Sequence, residues 1–266
     1  MKIRIMSDNP TTGYGQLVST MDLDKIEDVK LPAPAADGRI VTQNQKGYMT
    51  TYNDEISQMW IDYAAKCNMP VFDGGAAYGV ATIAALKKGA TVIANDSDDK
   101  HLFYIAKCQD LTEDDRKRLY LRPGFLPNDI DFPESSIGAI HLCRMMHFFH
   151  PDECEKMFEK ARYWLVPGGY FFIVIMSPWH YAAASDFAEI YEKKYQEGDP
   201  FPGQIGDFTI NTGQNFKGSC STYLHSMDPR VMMRLATKYG FIMKRLQIYG
   251  GAKDQDYTGA VMINNK

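Results

Sequence analysis

Apolar and polar positions along this chain recur with two periods, and the alternation between them outlines a domain. From Asn53 or Asp54, either suited to cap a helix, the apolar residues Ile56, Met59, Trp60, Tyr63 and Ala64 fall at i, i+3, i+4, i+7 and i+8, which is one helix face. After Pro70 strands and helices take turns. Val71-Phe72 opens a buried strand, 80–88 reads as a helix closed by Gly89, and 91–95 is a strand rich in β-branched residues. A helix over about 99–109, a short strand at 119–121 and a fourth strand at 137–143 follow. Residues 151–165 form a helix with Cys154, Met157, Phe158, Ala161 and Leu165 on its apolar face; Pro167-Gly168-Gly169 then turns into a fifth strand at 170–176. Strands alternating with helices imply right-handed βαβ units and a mostly parallel, doubly wound α/β sheet.

The end of the chain departs from this alternation. Asp228 caps a helix begun by Pro229, with Val231, Met232, Leu235 and Ala236 on one face and Gly240 as its stop. Strands at 241–249 and 258–264 flank a turn through Gly250-Gly251 and form an antiparallel pair, so seven strands are expected in all. Two further regions stand outside the pattern. Residues 1–52 are polar, carry "LPAPAADG" at 31–38, and read as an N-terminal arm ahead of a domain over 53–266. Residues 177–227 read as an insertion after the fifth strand: "DFAEIYEKKYQEG" is helical, whereas "GDPFPGQIGDFTINTGQNFKGS" has the Gly, Pro and Asn content of a long functional loop. Its rings, Trp179, Tyr181, Phe187, Tyr191, Phe201, Phe208, Phe216 and Tyr223, either line a ligand site or form the insertion's own core.

Composition narrows the function. With 45% hydrophobic residues, the 266-residue chain can bury a sizeable core. Lys+Arg 29 against Asp+Glu 33 gives a formal net charge of -4, and Arg116-Lys117-Arg118 is the one dense basic run, which argues against nucleic acid or anionic lipid as partner. The start meets Asp8 and Pro10 before any apolar run of signal-peptide length, and no later run approaches membrane-spanning length; a cytoplasmic protein is the expectation. Five scattered cysteines without a CxxC indicate neither a disulfide framework nor a structural zinc site.

The chemistry concentrates in "PVFDGGAAYGVATIAALKKGATVIANDSD", 70–98, where a strand runs into an acid and small residues and the next strand ends in another acid. With "IGAIHLCRMMHFF" at the fourth strand and "LVPGGYFFIV" at the fifth, the order of elements resembles the class I S-adenosylmethionine-dependent methyltransferases from about Trp60 to Met176, and in outline at the terminal helix and strand pair. The resemblance implies a Rossmann-like fold, S-adenosyl-L-methionine as cofactor and methyl transfer as reaction. It assigns the cofactor site to Asp73, Gly74, Gly75, Ala76 and Gly79, to Asp96 and Ser97, to Gly124, Phe125 and Leu126, and to Cys143 and Arg144. Asp73 would face the methionine ammonium, directly or through water, and the paired oxygens of Asp96 match a ribose diol. Two departures stand out. Ala77 replaces the central glycine of the family's frame, which requires that residue to avoid positive φ. Phe125 stands where the family often has an acid for the adenine amino group, so its ring would pack on adenine or the base would be held more loosely.

Transfer of a methyl group from a sulfonium needs positioning above all, and a base only where the nucleophile arrives protonated. Candidates follow the strand ends: His147 and His180 as base or orienting group, with His150 and Tyr181 nearby; packing or capping roles are the alternative for each. His147, His150, Asp152 and Cys154 match no metal-site spacing. The aromatic, nearly neutral insertion, with Tyr48 and Tyr52 of the arm, points to a small-molecule acceptor. Two other readings stay open: a nicotinamide dehydrogenase, whose G-x-G-x-x-G frame fits as Gly74, Ala76 and Gly79, and a silent module of methyltransferase shape.

Overall fold

A computed structural model of the chain describes residues 13–36, 38–183, 186–205 and 223–266. In chain order its main elements are β1 (Gln16–Leu17), β2 (Ile40–Val41), β3 (Tyr48–Met49), α1 (Glu55–Ala64), β4 (Val71–Gly74), α2 (Val80–Lys87), β5 (Val92–Asp96), α3 (Asp99–Ala106), α4 (Glu113–Arg116), β6 (Leu119–Pro123), β7 (Ile137–Cys143), α5 (Pro151–Trp164), β8 (Leu165–Met176), α6 (Phe187–Gln196), β9 (Gln204–Ile205), β10 (Leu224–His225), α7 (Pro229–Lys238), β11 (Phe241–Tyr249) and β12 (Tyr257–Asn264).

The strands β4, β5, β6 and β7 are near-continuous apolar runs because both faces of the sheet are covered. Side chains of β4 alternate accordingly. Phe72 joins the layer that holds α5, α6 and α7, with Trp164 and Met232, while Val71 joins the layer of α1, α2 and α3, with Trp60, Leu86 and Leu102. Each such fully buried side chain contributes about 1.5–3 kcal/mol of transfer free energy. Caps set the helix starts: Asp54 Oδ1 accepts the Ser57 N–H at 2.9 Å for α1, and Asp228 Oδ1 accepts the Val231 N–H at 3.0 Å for α7.

The sheet runs β1-β6-β5-β4-β7-β8-β12-β11, parallel from β6 to β8 and antiparallel at both ends. The chain fills one half through β6 and then crosses to β7, so the order reverses between β4 and β7. In an open α/β sheet that reversal places a crevice at the carboxyl ends of the central strands.

The sheet has eight strands where seven were expected. The additional strand, β1, comes from the arm and pairs with β6 through Gln16↔Leu121 and Leu17↔Tyr120, covering an otherwise open edge. Gly15 makes this approach possible: its φ is +87°, and a Cβ there would stand 2.2 Å from the Leu121 carbonyl oxygen. The Pro167-Gly168-Gly169 turn is an interruption inside β8, whose register jumps from Ile137↔Leu165 to Ala139↔Tyr170. In the insertion α6 forms where helical spacing indicated, and β9 pairs with β10; Phe208, Phe216 and most of the Gly/Pro-rich loop lie outside the described residues. No helix among the described residues is long and apolar enough to cross a membrane.

Candidate functional site

A cleft of about 780 Å³ opens at the carboxyl ends of β4, β5, β6 and β7 and is closed along one side by the end of the arm from Arg39 to Tyr52, with Asn53 beside it. Its floor is the loop after β4. Gly75, Ala76 and Ala77 line it, whereas Gly74 and Gly79 serve packing beneath it. A Cβ on Gly74 would meet Leu142 at 2.5 Å and one on Gly79 would meet Ile105 at 2.6 Å. Ala77 has a φ of +46°, contrary to the requirement stated above that it avoid positive φ. The strain, about 1–2 kcal/mol for a residue with a Cβ, is offset where the Ala77 N–H donates to Asp96 Oδ2 at 3.0 Å.

Asp96, 7% exposed at the end of β5, is held from several sides. Its Oδ1 accepts the Asp98 N–H at 2.9 Å, and His101 Nδ1 stands 3.0 Å away, within ion-pair distance but off the line of a hydrogen bond. The Gln43 N–H donates to His101 Nε2 at 2.9 Å, which leaves Nδ1 as the protonated nitrogen of a neutral ring. The carboxylate therefore faces the cleft in a fixed orientation with acceptor capacity to spare. Asn95, given no site role from the sequence, joins the surrounding loops: its Nδ2 donates to the Arg122 and Gly124 carbonyls at 2.7 and 3.0 Å, and its Oδ1 accepts the Gly75 N–H at 3.4 Å.

Asp73 is turned into a buried network that sequence reading missed. Thr82 Oγ1 donates to Oδ2 at 2.6 Å, His141 Nδ1 lies 2.8 Å from Oδ1, and His141 Nε2 lies 3.0 Å from Ser57 Oγ. The His141 ring stacks on Trp60 with centroids 4.8 Å apart. Burial disfavours charge on this ring, but the Asp73 carboxylate and Cys143 outweigh it and push its pKa up to about 10. The three side chains have the connectivity of a nucleophile, base and acid, yet a protonated imidazole has no lone pair with which to take the serine proton. They form an ion pair with a hydroxyl anchor. The signal in the sequence was a histidine inside an apolar strand, and its meaning emerges only from the register Asp73↔His141.

Cys143 and Arg144 line the far side. The Arg144 guanidinium pairs with Asp54 at 2.8 Å and lies over the Tyr257 ring, 4.6 Å from its centroid. Burial opposes its charge, while Cys143 and Asp54 favour it more strongly, so its pKa is raised. His147 and His180 both line this end of the cleft. Burial, with His180 and Arg144 adding to it, lowers His147 to about 3; burial, with Arg39 and Arg144, lowers His180 to about 4. His180 Nδ1 accepts the Ala182 N–H at 3.1 Å, whereas His147 Nδ1 is buried without a partner among the described residues.

Gly124, Phe125 and Leu126 line the opposite end, together with Ser97. Phe125 is 55% exposed with Lys46 Nζ 5.5 Å from its ring centroid, so it stands on the rim and not in the core. Ser97 and Phe125 also border an adjoining hollow of about 620 Å³ between the arm and α3. His150 is exposed, precedes α5, and packs on Tyr223 at 4.0 Å. Of the six described insertion rings Tyr181 lines the cleft, while Phe187, Tyr191 and Phe201 belong to the main core.

No family model and no curated protein matches the chain at the level of sequence. Solved structures do match in fold. A SAM-dependent methyltransferase from Methanosarcina mazei is 16% identical with a TM-score of 0.53, over 73% of this chain and 90% of that one. An S-adenosylmethionine dependent methyltransferase from Mesorhizobium loti is 15% identical with a TM-score of 0.53, over 76% and 99%. The glycopeptide N-methyltransferase MtfA in complex with S-adenosyl-L-methionine is 15% identical with a TM-score of 0.52, over 80% and 95%. The fold of this chain is that of the S-adenosylmethionine-dependent methyltransferases.

Proposed function

We propose that the protein is an S-adenosylmethionine-dependent methyltransferase acting on a small molecule. The observation that carries this reading is Asp96: a carboxylate fixed by the Ala77 and Asp98 N–H groups at the end of β5, on the edge of a cleft roomy enough for a nucleoside and a second small ligand. Its oxygens suit the two hydroxyls of a ribose, and Gly75 to Ala77 bring bare backbone to the methionine side. Phe125 and Ser97 flank the place for adenine, where an exposed ring gains by covering a flat base. The bound sulfonium supplies a methyl group already activated for attack. What the chain adds is orientation and exclusion of water. Asp73 already carries a cationic neighbour in His141, so it meets an ammonium group with its remaining lone pairs and contributes less attraction than a free carboxylate would.

Calorimetry with S-adenosylhomocysteine and with NAD tests this reading. We expect the first to bind and the second not. Asp96→Asn should lose charge-assisted hydrogen bonds of about 1.5–3 kcal/mol, a weakening of about 10- to 150-fold; its melting temperature should also fall, because one of the two backbone N–H groups that Asp96 accepts loses its acceptor, so binding is measured well below that temperature. Binding of NAD alone would refute the proposal. Binding of both donor and product without transfer to any acceptor would instead favour a silent module.

A further inference from the structure

We propose that the Ser57 hydroxyl recognises the α-carboxylate of the cofactor's methionine moiety, and that His141 and Asp73 set the direction of its proton. The proposal rests on the methyltransferase reading and deepens it with a residue of α1, outside the loops to which the resemblance assigns the cofactor.

The protons along the buried chain from Asp73 to Ser57 can be counted. A carboxylate only accepts, so His141 Nδ1, 2.8 Å from Asp73 Oδ1, carries a proton whatever the charge of the ring. What Ser57 does depends on the other nitrogen. A bare Nε2 would take the serine proton across 3.0 Å and leave the hydroxyl nothing to donate. A protonated Nε2 donates to Ser57 Oγ, and the serine proton must then find another acceptor. Among the described residues Ser57 Oγ has no second partner.

Two features of the packing put the second proton on the ring. Asp73 is 3% exposed, and among the described residues the His141 ring is the one group able to carry positive charge within ion-pair distance of it. A buried carboxylate without a countercharge is costly. On the ring's face lies Trp60, tilted by only 18°, and the negative face of an indole favours a cation over a neutral imidazole. Burial opposes the charge, yet the Asp73 carboxylate and Cys143 outweigh it and raise the pKa of the ring.

The hydroxyl so oriented stands at the ligand's edge. Ser57 is 2% exposed and borders the cleft together with Asp73, Gly75 and Ala76. A buried O–H whose proton has no acceptor in the protein is stabilised by a ligand that brings one. Formal charges around it cancel in pairs, Asp73 with His141 and Asp54 with Arg144. Such surroundings suit a zwitterion better than a lone ion of either sign. Its ammonium meets Asp73 and its carboxylate meets Ser57, one imidazole ring away. Ser57 also lies in the first turn of α1, where the helix end adds partial positive charge on the carboxylate side.

Titration of S-adenosylhomocysteine and of its decarboxylated analogue, identical but for the carboxylate, into wild type and Ser57→Ala tests the proposal. The wild type should prefer the carboxylate about tenfold or more. Ser57→Ala should lose most of that preference while binding the decarboxylated analogue as the wild type does. Removing the hydroxyl leaves His141 Nε2 unpartnered and lowers the melting temperature, so both proteins are titrated well below it. A second measurement needs no variant: magnetic resonance of wild-type protein labelled in its histidine nitrogens should find protons on both nitrogens of His141 at neutral pH. A bare Nε2, equal binding of the two ligands by the wild type, or a preference that survives in Ser57→Ala would overturn the proposal even as S-adenosylhomocysteine binds. Failure of both ligands to bind the wild type would strike the methyltransferase reading itself, and the role of Ser57 with it.

Discussion

At the scale of single residues, the acids at the ends of β4 and β5 were legible because a strand followed by small residues leaves few roles for a carboxylate there. Their surroundings were less so. Asp96 lines the cleft with free acceptor capacity, whereas Asp73 is partnered from below by a histidine 68 positions away, a pairing that exists only once β4 and β7 lie side by side. Ala77 shows the same limit, since a residue that avoids positive φ in isolation is held there by the hydrogen bond its N–H donates to a carboxylate on the next strand. The histidines make the stability of the protein depend on pH in two directions. His141, raised to about 10, contributes stability that is complete below the unfolded value of about 6.5 and is lost as pH rises from there to about 10. His147, His180 and His225, lowered to about 3, 4 and 4, act oppositely: their contribution is present above that unfolded value and is lost as pH falls towards those values. Urea denaturation from pH 4 to 9.5 should therefore show a maximum near neutrality. In His141→Asn the alkaline decline should vanish, and at pH 7 the variant should be less stable by about 3–5 kcal/mol, the cost of leaving a buried carboxylate without its partner. A wild-type profile that is flat above pH 7 would exclude the buried imidazolium.

Among the elements, the central strands and the helices α1, α5 and α7 were readable because each buries a whole face, and burial imposes a period on the sequence. The strand β1 imposes none. Two residues carry no periodicity, and the one trace of the strand is Gly15, which reads equally well as a loop glycine. The insertion was ambiguous for a related reason: rings that serve the core and rings that face a ligand have the same composition, and Phe187 and Tyr181 differ only in where α6 places them. The role of Gly15 gives a test of β1. With φ at +87° and a carbonyl 2.2 Å from the position of a Cβ, Gly15→Ala should detach β1 from β6. The expected loss is about 1–3 kcal/mol, with amides of 119–121 losing protection while those of β4 keep it. Equal stability and unchanged protection would mean that β1 does not hold the edge.

For the molecule as a whole, the resemblance that was visible from Trp60 to Met176 covers the sheet and its crevice but says little about what encloses them. Val18 and Ile26 of the arm are buried against α3 and its neighbours, and 39–53 forms one wall of the cleft, so the segment that looked least structured borders the site along much of its length. The hydrogen bond from the Gln43 N–H to His101 Nε2 ties that wall to Asp96, because the same ring presents its other nitrogen to the carboxylate. This single amide is a natural clock. It can exchange with deuterium only when the wall parts from the ring, and a ligand that grips Asp96 and spans the arm must make that parting rarer. Exchange at Gln43 should slow when S-adenosylhomocysteine binds and become fast and ligand-independent in His101→Ala, so that one backbone proton reports how often the wall lifts from the site it encloses.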